Sequence, residues 1–575
     1  MEKKIVIIGA VAAGPKAACH LKRLQPGWDI TLVDQDDLIS YGGCGIPYYV
    51  CGDVSDEAEL RSTSFHMVRD ASFFKRAKGV EVLTRTRALA INRQDKVVQV
   101  ENLENGEQVE LPYDKLMLAT GARPFVLPIP GNDLDGVFTI ANLHKAIEIK
   151  KRIARGKVST AVVIGGGAIG VEMAEALKDL WGIETSLIEF MPQLLPKIVD
   201  WQFAAMLKTH LEEKEVAVFT SEGATAILGD EKGRVTGVQT PRRTLPADLV
   251  IMAAGVRPRS ELAVKAGLMV TPWGGILVNQ RMQTSDPDIY AAGDCVALTN
   301  LVTGRATYAP LGSLANREGR VVGDNMAGIA SRFKGTVGSF IMKAFDRCIA
   351  ATGLTYEAAL AEGFDADYAL TAPSDRAHFF PGEAIAIFQL VFERKSRRVL
   401  GLQGFGVMND SVSVRIDSAA VMIAGGAVIE DFRDAEMAYA PPFSAAIDSL
   451  NAAAFVADNL CADRLRKLDM DRFLAWMEDF SLEPDWMALD IRHPLESGPF
   501  VEKFGDKRWL AIPYVEVRER FAEIPEDRTM IILCDAGTRS YEVQIFLDHI
   551  GKNNTMVVSG GFNVIRRLGV DWYPQ

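Results

Sequence analysis

Hydrophobic and polar positions along this chain fall into a repeating order. Short unbroken apolar runs end in glycine clusters and are followed by amphipathic stretches, the pattern of buried parallel strands alternating with helices. The first round predicts a strand from Lys4, a glycine turn to Gly14, a helix from about Pro15 to Leu24, and a strand Asp29–Val33 ending at Asp34. The order returns with Ala161–Ile164, a turn to Gly170, a helix through Leu180, and Thr185–Ile188 ending at Glu189. Between them lies another apolar strand within Tyr113–Pro124. From about 326 to 455 the pattern changes: Gly335–Leu354, Ala384–Phe392 and Val399–Val407 read as strands and Asp410–Ala424 as a helix. Residues 456–480 read as a helical, charge-mixed connector. Strand–helix alternation then resumes with Met487–Ile491, Met530–Leu533, a helix Tyr541–Ile550 and Thr555–Val558. The fold class is α/β.

At 575 residues the chain exceeds one hydrophobic core, so several domains are expected. A net charge of −12 without a long basic run argues against nucleic acid as a partner. No apolar stretch reaches the length of a membrane span. The apolar run after Lys4 stops at Gly9 and reads as a strand, not a signal peptide. Seven scattered cysteines make no disulfide framework, which fits a reducing cytoplasm.

The turns carry the chemistry. Gly165, Gly167 and Gly170, with Ala168 opening the helix, form a complete dinucleotide fingerprint: a tight turn, a close approach to the pyrophosphate, and a helix N-terminus beneath it. Glu189 then accepts two ribose hydroxyls and repels a 2′-phosphate, so NADH is expected over NADPH. The first turn keeps Gly9 and Gly14 but has Ala12 at the middle position, with Asp34 as its acid. Ser40–Tyr49 sets Cys44 among glycines ahead of Pro47. Either it is a structural cysteine in a tight turn, or a helix starting just after it favours the thiolate. Gly293-Asp294 ends a short strand and in isolation reads as a helix cap, a reading that two nucleotide folds on one chain turn toward a ligand. Two nucleotide folds with a cysteine between them point to electrons passing from nicotinamide through flavin to sulfur. In the tail, Cys534-Asp535-Ala536-Gly537-Thr538-Arg539-Ser540 follows a buried strand. Its backbone N–H groups form a nest suited to a thiolate or a sulfur-borne anion.

With these residues in place, roughly the first 455 resemble the pyridine nucleotide–disulfide oxidoreductases, in particular the coenzyme A-disulfide reductase group. The matching runs are Cys44-Gly45-Ile46-Pro47-Tyr48-Tyr49, Ala119-Thr120-Gly121, the 165–170 glycines, Ala291–Asp294, Thr299–Gly304, Ala315–Arg320 and Tyr439-Ala440-Pro441-Pro442. The tail resembles a rhodanese domain through its Cys-x-x-Gly-x-Arg-Ser loop, so the whole is similar to persulfide reductase and coenzyme A-disulfide reductase–rhodanese fusions. The resemblance implies a discontinuous FAD domain (1–118 and 256–325), an NADH domain (119–255), a dimerisation domain (326–455), the linker 456–480 and a rhodanese-like domain (481–575). It also implies FAD held by the first fold with Ala119, Thr120, Gly121, Arg123 and Asp294, NADH on the second fold with Gly255, a homodimer, and Cys44 as the single redox cysteine. Lys22 and Arg23 match basic positions that relatives use near coenzyme A phosphates, although they read equally as solvated helix charges. Arg61 opens a segment that departs from the family spacing around that ligand.

The group usually has tyrosines where this chain has Phe379-Phe380 and Phe443. Phenylalanine donates no proton, which shifts the expected substrate toward persulfide or polysulfide, where hydrosulfide is the easier leaving group. Cys51 stays open as a resolving thiol. The rival readings are an NADH oxidase or peroxidase, whose relatives carry a histidine where this chain has Ala12, and a persulfide carrier or redox sensor working through Cys534.

Overall fold

The computed structural model describes residues 2–574. It divides into two compact units, one of residues up to 192 with 215–336, the other of 193–214 with the chain from 337 onward.

The first unit holds two parallel five-stranded sheets of the same design. In one, Lys4–Ile8 lies between Asp29–Val33 and Lys115–Leu118, with Glu81–Leu83 and Ile289–Ala291 outside them. In the other, Thr160–Ile164 lies between Glu184–Ile188 and Leu249–Met252, with Val216–Phe219 and Val137–Thr139 outside. Ile5 to Ile8 and Ala161 to Ile164 are buried throughout, as parallel strands covered on both faces must be. Each buried Ile or Val contributes roughly 1.5–3 kcal/mol. The chain switches direction beside the central strand of each sheet, the place where doubly wound folds bind ligands. Helices Ala13–Leu24 and Gly312–Met326 pack closely: a Cβ on Gly319 would stand 2.5 Å from the Ala13 carbonyl oxygen. Ala122–Pro124 pairs antiparallel with Val256–Pro258 where the chain leaves and re-enters the first sheet's domain.

The second unit contains an antiparallel sheet ordered Phe340–Ala344, Arg347–Gly353, Val399–Val407, Ile387–Glu393, Ala366–Thr371. The last of these strands was not expected from the sequence. Helix Trp201–Glu213 belongs to this unit and is fixed by Asp200, whose carboxylate accepts from Gln389 and Gln403 side chains at 2.6 and 2.5 Å. A second, parallel sheet runs Lys467–Leu468, Thr555–Val558, Thr529–Leu533, Trp486–Asp490, Trp509–Ala511.

The reading of 456–480 as a helical linker needs correction. Helices Ser449–Cys461 and Met470–Glu478 flank the strand Lys467–Leu468, which completes the edge of the C-terminal sheet. Arg466 donates to Asp548 and to the Thr555 carbonyl, while Lys467 reaches Asp367 and Tyr368 donates to Asp469. The charges Arg466, Lys467 and Asp469 of this connector are therefore paired to both sheets.

Candidate functional site

The two glycine turns of the first unit are near copies. Gly9 and Gly165 have φ of +110° and +111°, and Cβ atoms there would fall 2.0 and 2.4 Å from the carbonyl oxygens of Ala119 and Ala253. Cβ atoms on Gly14 and Gly170 would meet the Gly9 and Gly165 carbonyl oxygens at 1.9 and 1.8 Å. Only glycine fits such approaches. Asp34 accepts from the Ala10 N–H at 2.6 Å, and Glu189 from the Gly166 N–H at 2.6 Å, so each acid clamps its own turn. A Cβ on Gly167 would meet nothing within 4 Å, and the turn there stays open to a ligand, whereas Ala12 occupies that place in the first turn. A cleft of about 300 Å³ at the first turn is lined by Gly9, Asp34, Thr120 and Arg259, and suits a nucleoside. Thr120 Oγ1 donates to the Arg259 carbonyl at 2.5 Å. Gly121 and Gly255 both have positive φ, +68° and +98°, where the paired strands Ala122–Pro124 and Val256–Pro258 begin.

Asp294 has no hydrogen bond or ion pair among the described residues, and burial pushes its carboxyl up to about 6. Its turn is held by Glu318, which accepts from the Gly293 N–H at 2.7 Å and whose burial pushes it up to about 7. A half-buried acid without a donor at the end of the first fold's short strand fits a ligand hydroxyl there. The orphaned acid and the open cradle fit a bound dinucleotide at each fold.

Cys44 lies in a 3-10 turn, Gly43–Gly45, just before helix Ile46–Cys51. The residue is exposed, yet the walls around its sulfur desolvate the thiolate. Burial first, then the charges of Glu172 and Asp294, raise the thiol above its ordinary value, against lowering hydrogen bonds from the Gly312 and Cys44 backbone. The expectation of a helix-favoured thiolate is thus corrected: the helix that follows is short, and two carboxylates outweigh it. Glu172, on helix Ala168–Lys178, is itself pushed up to about 7 by burial and then by Glu175. Cys51 is buried.

In the second unit, Cys534 ends the strand Thr529–Leu533 with its sulfur 3.1 Å from the Gly537 N–H. Gly537 has φ +88° and caps helix Thr538–His549, so Thr538, Arg539 and Ser540 form the helix's first turn and not loop as expected. Arg539 pairs with Asp535. The segment Phe562–Asn563 closes the loop from behind, donating backbone N–H groups to the Cys534 and Asp535 carbonyls at 3.0 and 2.8 Å. Beneath it, the buried ion pair Arg492–Asp490 stacks 3.3 Å over Phe562. Tyr439 and Phe443 sit exposed in a loop joined to Ala377 by the Pro441 carbonyl, which brings the 439–443 turn beside Phe379-Phe380.

The model of the family described as pyridine nucleotide-disulphide oxidoreductase matches residues 3–315, and its dimerisation domain matches 341–450. The chain belongs to this family. A NAD-dependent persulfide reductase from A. fulgidus is 37% identical, with a TM-score of 0.91 over 98% of this chain and 99% of that one. The NAD(P)H coenzyme A polysulfide/persulfide reductase of Pyrococcus horikoshii is 35% identical over 79% of this chain and 98% of its own length. An NADH oxidase of Methanocaldococcus jannaschii is 33% identical over 81% of this chain and 99% of its own. Pyridine nucleotide–disulphide oxidoreductases are FAD- and NAD(P)H-dependent enzymes, and this chain is an oxidoreductase.

Not every basic residue matched to the oxidoreductase group gathers at Cys44. Lys22 Nζ donates to the Trp28 carbonyl at 2.6 Å, and Arg23 lies 3.4 Å from His20. Both stand in the last turn of their helix, where cations complement its dipole. Arg123 pairs with Glu261 at 2.5 Å. Arg61 is placed differently. The Gly42 N–H donates to the Leu60 carbonyl at 2.9 Å and Gly45 abuts the Leu60 side chain, so Arg61 follows a residue laid over the Cys44 turn. Its Nε is buried without a hydrogen-bond partner. Glu172, Arg259 and Gly312 escaped the sequence reading, and Glu318 entered it only within the matching run Ala315–Arg320; a carboxylate two residues past Gly170 was the one available hint for Glu172.

Proposed function

We propose that this enzyme is a flavin-dependent, NADH-using reductase of sulfane sulfur, acting on coenzyme A persulfide or polysulfide, or on coenzyme A disulfide, through Cys44. The observation that carries the reading is Cys44 exposed in a glycine turn of the same compact unit as both dinucleotide turns. Gly9, Ala12, Gly14, Asp34, Ala119, Thr120, Gly121, Arg123, Gly293 and Asp294 would hold FAD. Gly165, Gly167, Ala168, Gly170, Glu189 and Gly255 would hold NADH. When bound, these cofactors supply two electrons.

The Cys44 thiolate, steadied by the Gly312 N–H, attacks the sulfur that carries R in R–S–SH. A Cys44–S–S–R bond forms as the S–SH bond breaks, and HS⁻ leaves without needing an acid at neutral pH. Two electrons then cleave the mixed disulfide, restoring the thiolate and releasing R–S⁻, which takes its proton from solvent. Arg61, with its unpartnered Nε, would face an anionic group of the substrate, and its placement supports it over Lys22 and Arg23 as the coenzyme A contact. Tyr439 would be the remaining phenol of a turn otherwise flanked by Phe379, Phe380 and Phe443. Exposed Phe379, Val414, Val421 and Phe443 support a homodimer formed by this part of the chain. In the tail, Cys534 and Arg539 would perform rhodanese-type sulfur transfer. Seven free thiols suit the reducing cytoplasm.

The test is anaerobic NADH oxidation with coenzyme A persulfide, polysulfide, coenzyme A disulfide and peroxide on one preparation. The persulfide or polysulfide should give the highest kcat/KM. Peroxide or oxygen as the preferred acceptor would transfer the chain to the oxidase reading that the M. jannaschii relative represents.

A further inference from the structure

Within the second unit, a cleft of about 340 Å³ is lined by helix Trp201–Glu213, the antiparallel sheet and the segment just after helix Gly561–Ile565. Its polar wall is His210, Arg347, Asn563, Arg566 and Arg567, with the exposed Glu213 also lining it. Three guanidinium groups around one small space repel each other unless anions sit among them. The neighbouring acids do not meet that need. Asp346 lies 3.6 Å from Arg347 but is shared with Lys214 at 2.8 Å and His210 at 3.3 Å. Arg566 divides itself among Glu496 at 3.0 Å, Asp535 at 3.4 Å and the Tyr573 hydroxyl. Arg567 has no carboxylate partner among the described residues and donates only to the Asn563 carbonyl. Burial, then the charges of Arg347 and Arg566, lower its pKa, against the weaker raising charge of Glu213. His210 is 6% exposed, and its Nε2 makes no hydrogen bond despite its nearness to Asp346.

We propose that this cleft binds a doubly charged tetrahedral oxyanion, a phosphate or sulfate group, held by Arg347, Arg566 and Arg567 with His210, and that its occupancy is felt at Cys534. Guanidinium forks match such oxygens in pairs, and an anion shared by the three arginines removes their mutual repulsion. Arg566 carries the link: it bonds Asp535, the residue after Cys534, and it follows the helix that caps the Cys534 and Asp535 carbonyls. An anion drawing Arg566 away from Asp535 loosens that side of the loop. The site is independent of the sulfur substrate used at Cys44.

The experiment titrates the holoenzyme with inorganic phosphate, followed by calorimetry against sodium chloride at matched ionic strength, and maps iodoacetamide labelling of Cys534 by peptide mass. Phosphate should bind saturably to the wild type and at least about tenfold more weakly to Arg567→Ala, the loss expected for one charge-assisted contact. Arg567→Lys, which keeps the charge and the fold, should weaken binding several-fold. Saturating phosphate should speed Cys534 labelling several-fold in the wild type and not in Arg567→Ala. Adenosine 3′,5′-bisphosphate identifies the source: tighter, Arg567-dependent binding than phosphate marks a phosphate carried on a larger molecule, and weaker binding marks the free anion, the site standing in both cases. Absence of saturable phosphate binding to the wild type, equal affinity in Arg567→Ala and Arg567→Lys as in the wild type, or Cys534 labelling indifferent to phosphate overturns the proposal.

Discussion

Glu189 should make this enzyme choose NADH over NADPH by about two to three orders of magnitude. Its side chain is 8% exposed and fixed at both oxygens, by the Gly166 N–H at 2.6 Å and the Met191 N–H at 2.7 Å. A 2′-phosphate bound at the second fold would lie beside that carboxylate. Two unit charges about 4–5 Å apart repel by roughly 3–4 kcal/mol at an effective dielectric of 20. Solvent on the ligand side and salt leave about half of that, or about 2 kcal/mol. Losing the hydrogen bond from a ribose hydroxyl to an ionised acceptor adds about 1.5 kcal/mol. The sum, about 3–4 kcal/mol, corresponds to roughly 10²–10³ in kcat/KM. Steady-state rates with both nucleotides measure it directly, using the best sulfur acceptor. Glu189→Ala should lower kcat/KM for NADH by about tenfold and raise that for NADPH by about thirtyfold, narrowing the ratio below about ten. Equal use of both nucleotides by the wild type, or an unchanged ratio in Glu189→Ala, would refute the reasoning.

Four other outcomes are expected. Cys44→Ser should keep FAD and accept hydride from NADH but reduce sulfur substrates at least about 10³-fold more slowly; full turnover would move the chemistry to another thiol such as Cys51. Gly170→Ala, whose Cβ would fall 1.8 Å from the Gly165 carbonyl oxygen, should weaken NADH binding tenfold or more while the flavin absorbance is retained. Glu172 is pushed up from 4.5 to about 7, so between those values the folded chain binds more protons than the unfolded one and stability falls as pH rises. Glu172→Gln should flatten that slope in denaturant titrations and bring Cys44 alkylation to lower pH, because a charge that raises the thiol is gone. Cys534→Ala should slow bulky or protein-borne sulfur donors about tenfold and spare small persulfides; unchanged rates for every donor would make the tail a passenger.

What the sequence revealed depended on the range of the constraint. At Gly9, Gly14, Gly165 and Gly170 the demand for glycine comes from backbone atoms close by, and an acid at the end of the next strand completes the signature. The same holds for Cys534 and Gly537, three residues apart, although the start of the helix at Thr538 was read too late because polar residues there resemble loop. Gly312 and Glu172 reach Cys44 from helices that tertiary packing brings in, and no local pattern ties either of them to that cysteine. Ala366–Thr371 is the edge strand of its sheet yet buried at every position, so it lacks the alternation of buried and exposed residues that marks a half-exposed strand. Lys467–Leu468 is two residues long, below what any periodicity registers.

That short strand also bears on how sulfur travels. A domain on a loose leash searches a volume, and each end then meets the other by diffusion. Here the leash is stitched down: Lys467–Leu468 is woven into the C-terminal sheet, Lys467 and Asp469 are bonded to the antiparallel sheet, and the Asn563 side chain donates to the Ala372 carbonyl at 3.2 Å. Such a domain is a fixed bench, not a crane. A sulfur carried on Cys534 is thus presented from a loop held in place within its own unit, and a long, flexible thiol is the kind of cargo arm that suits such a stationary workstation.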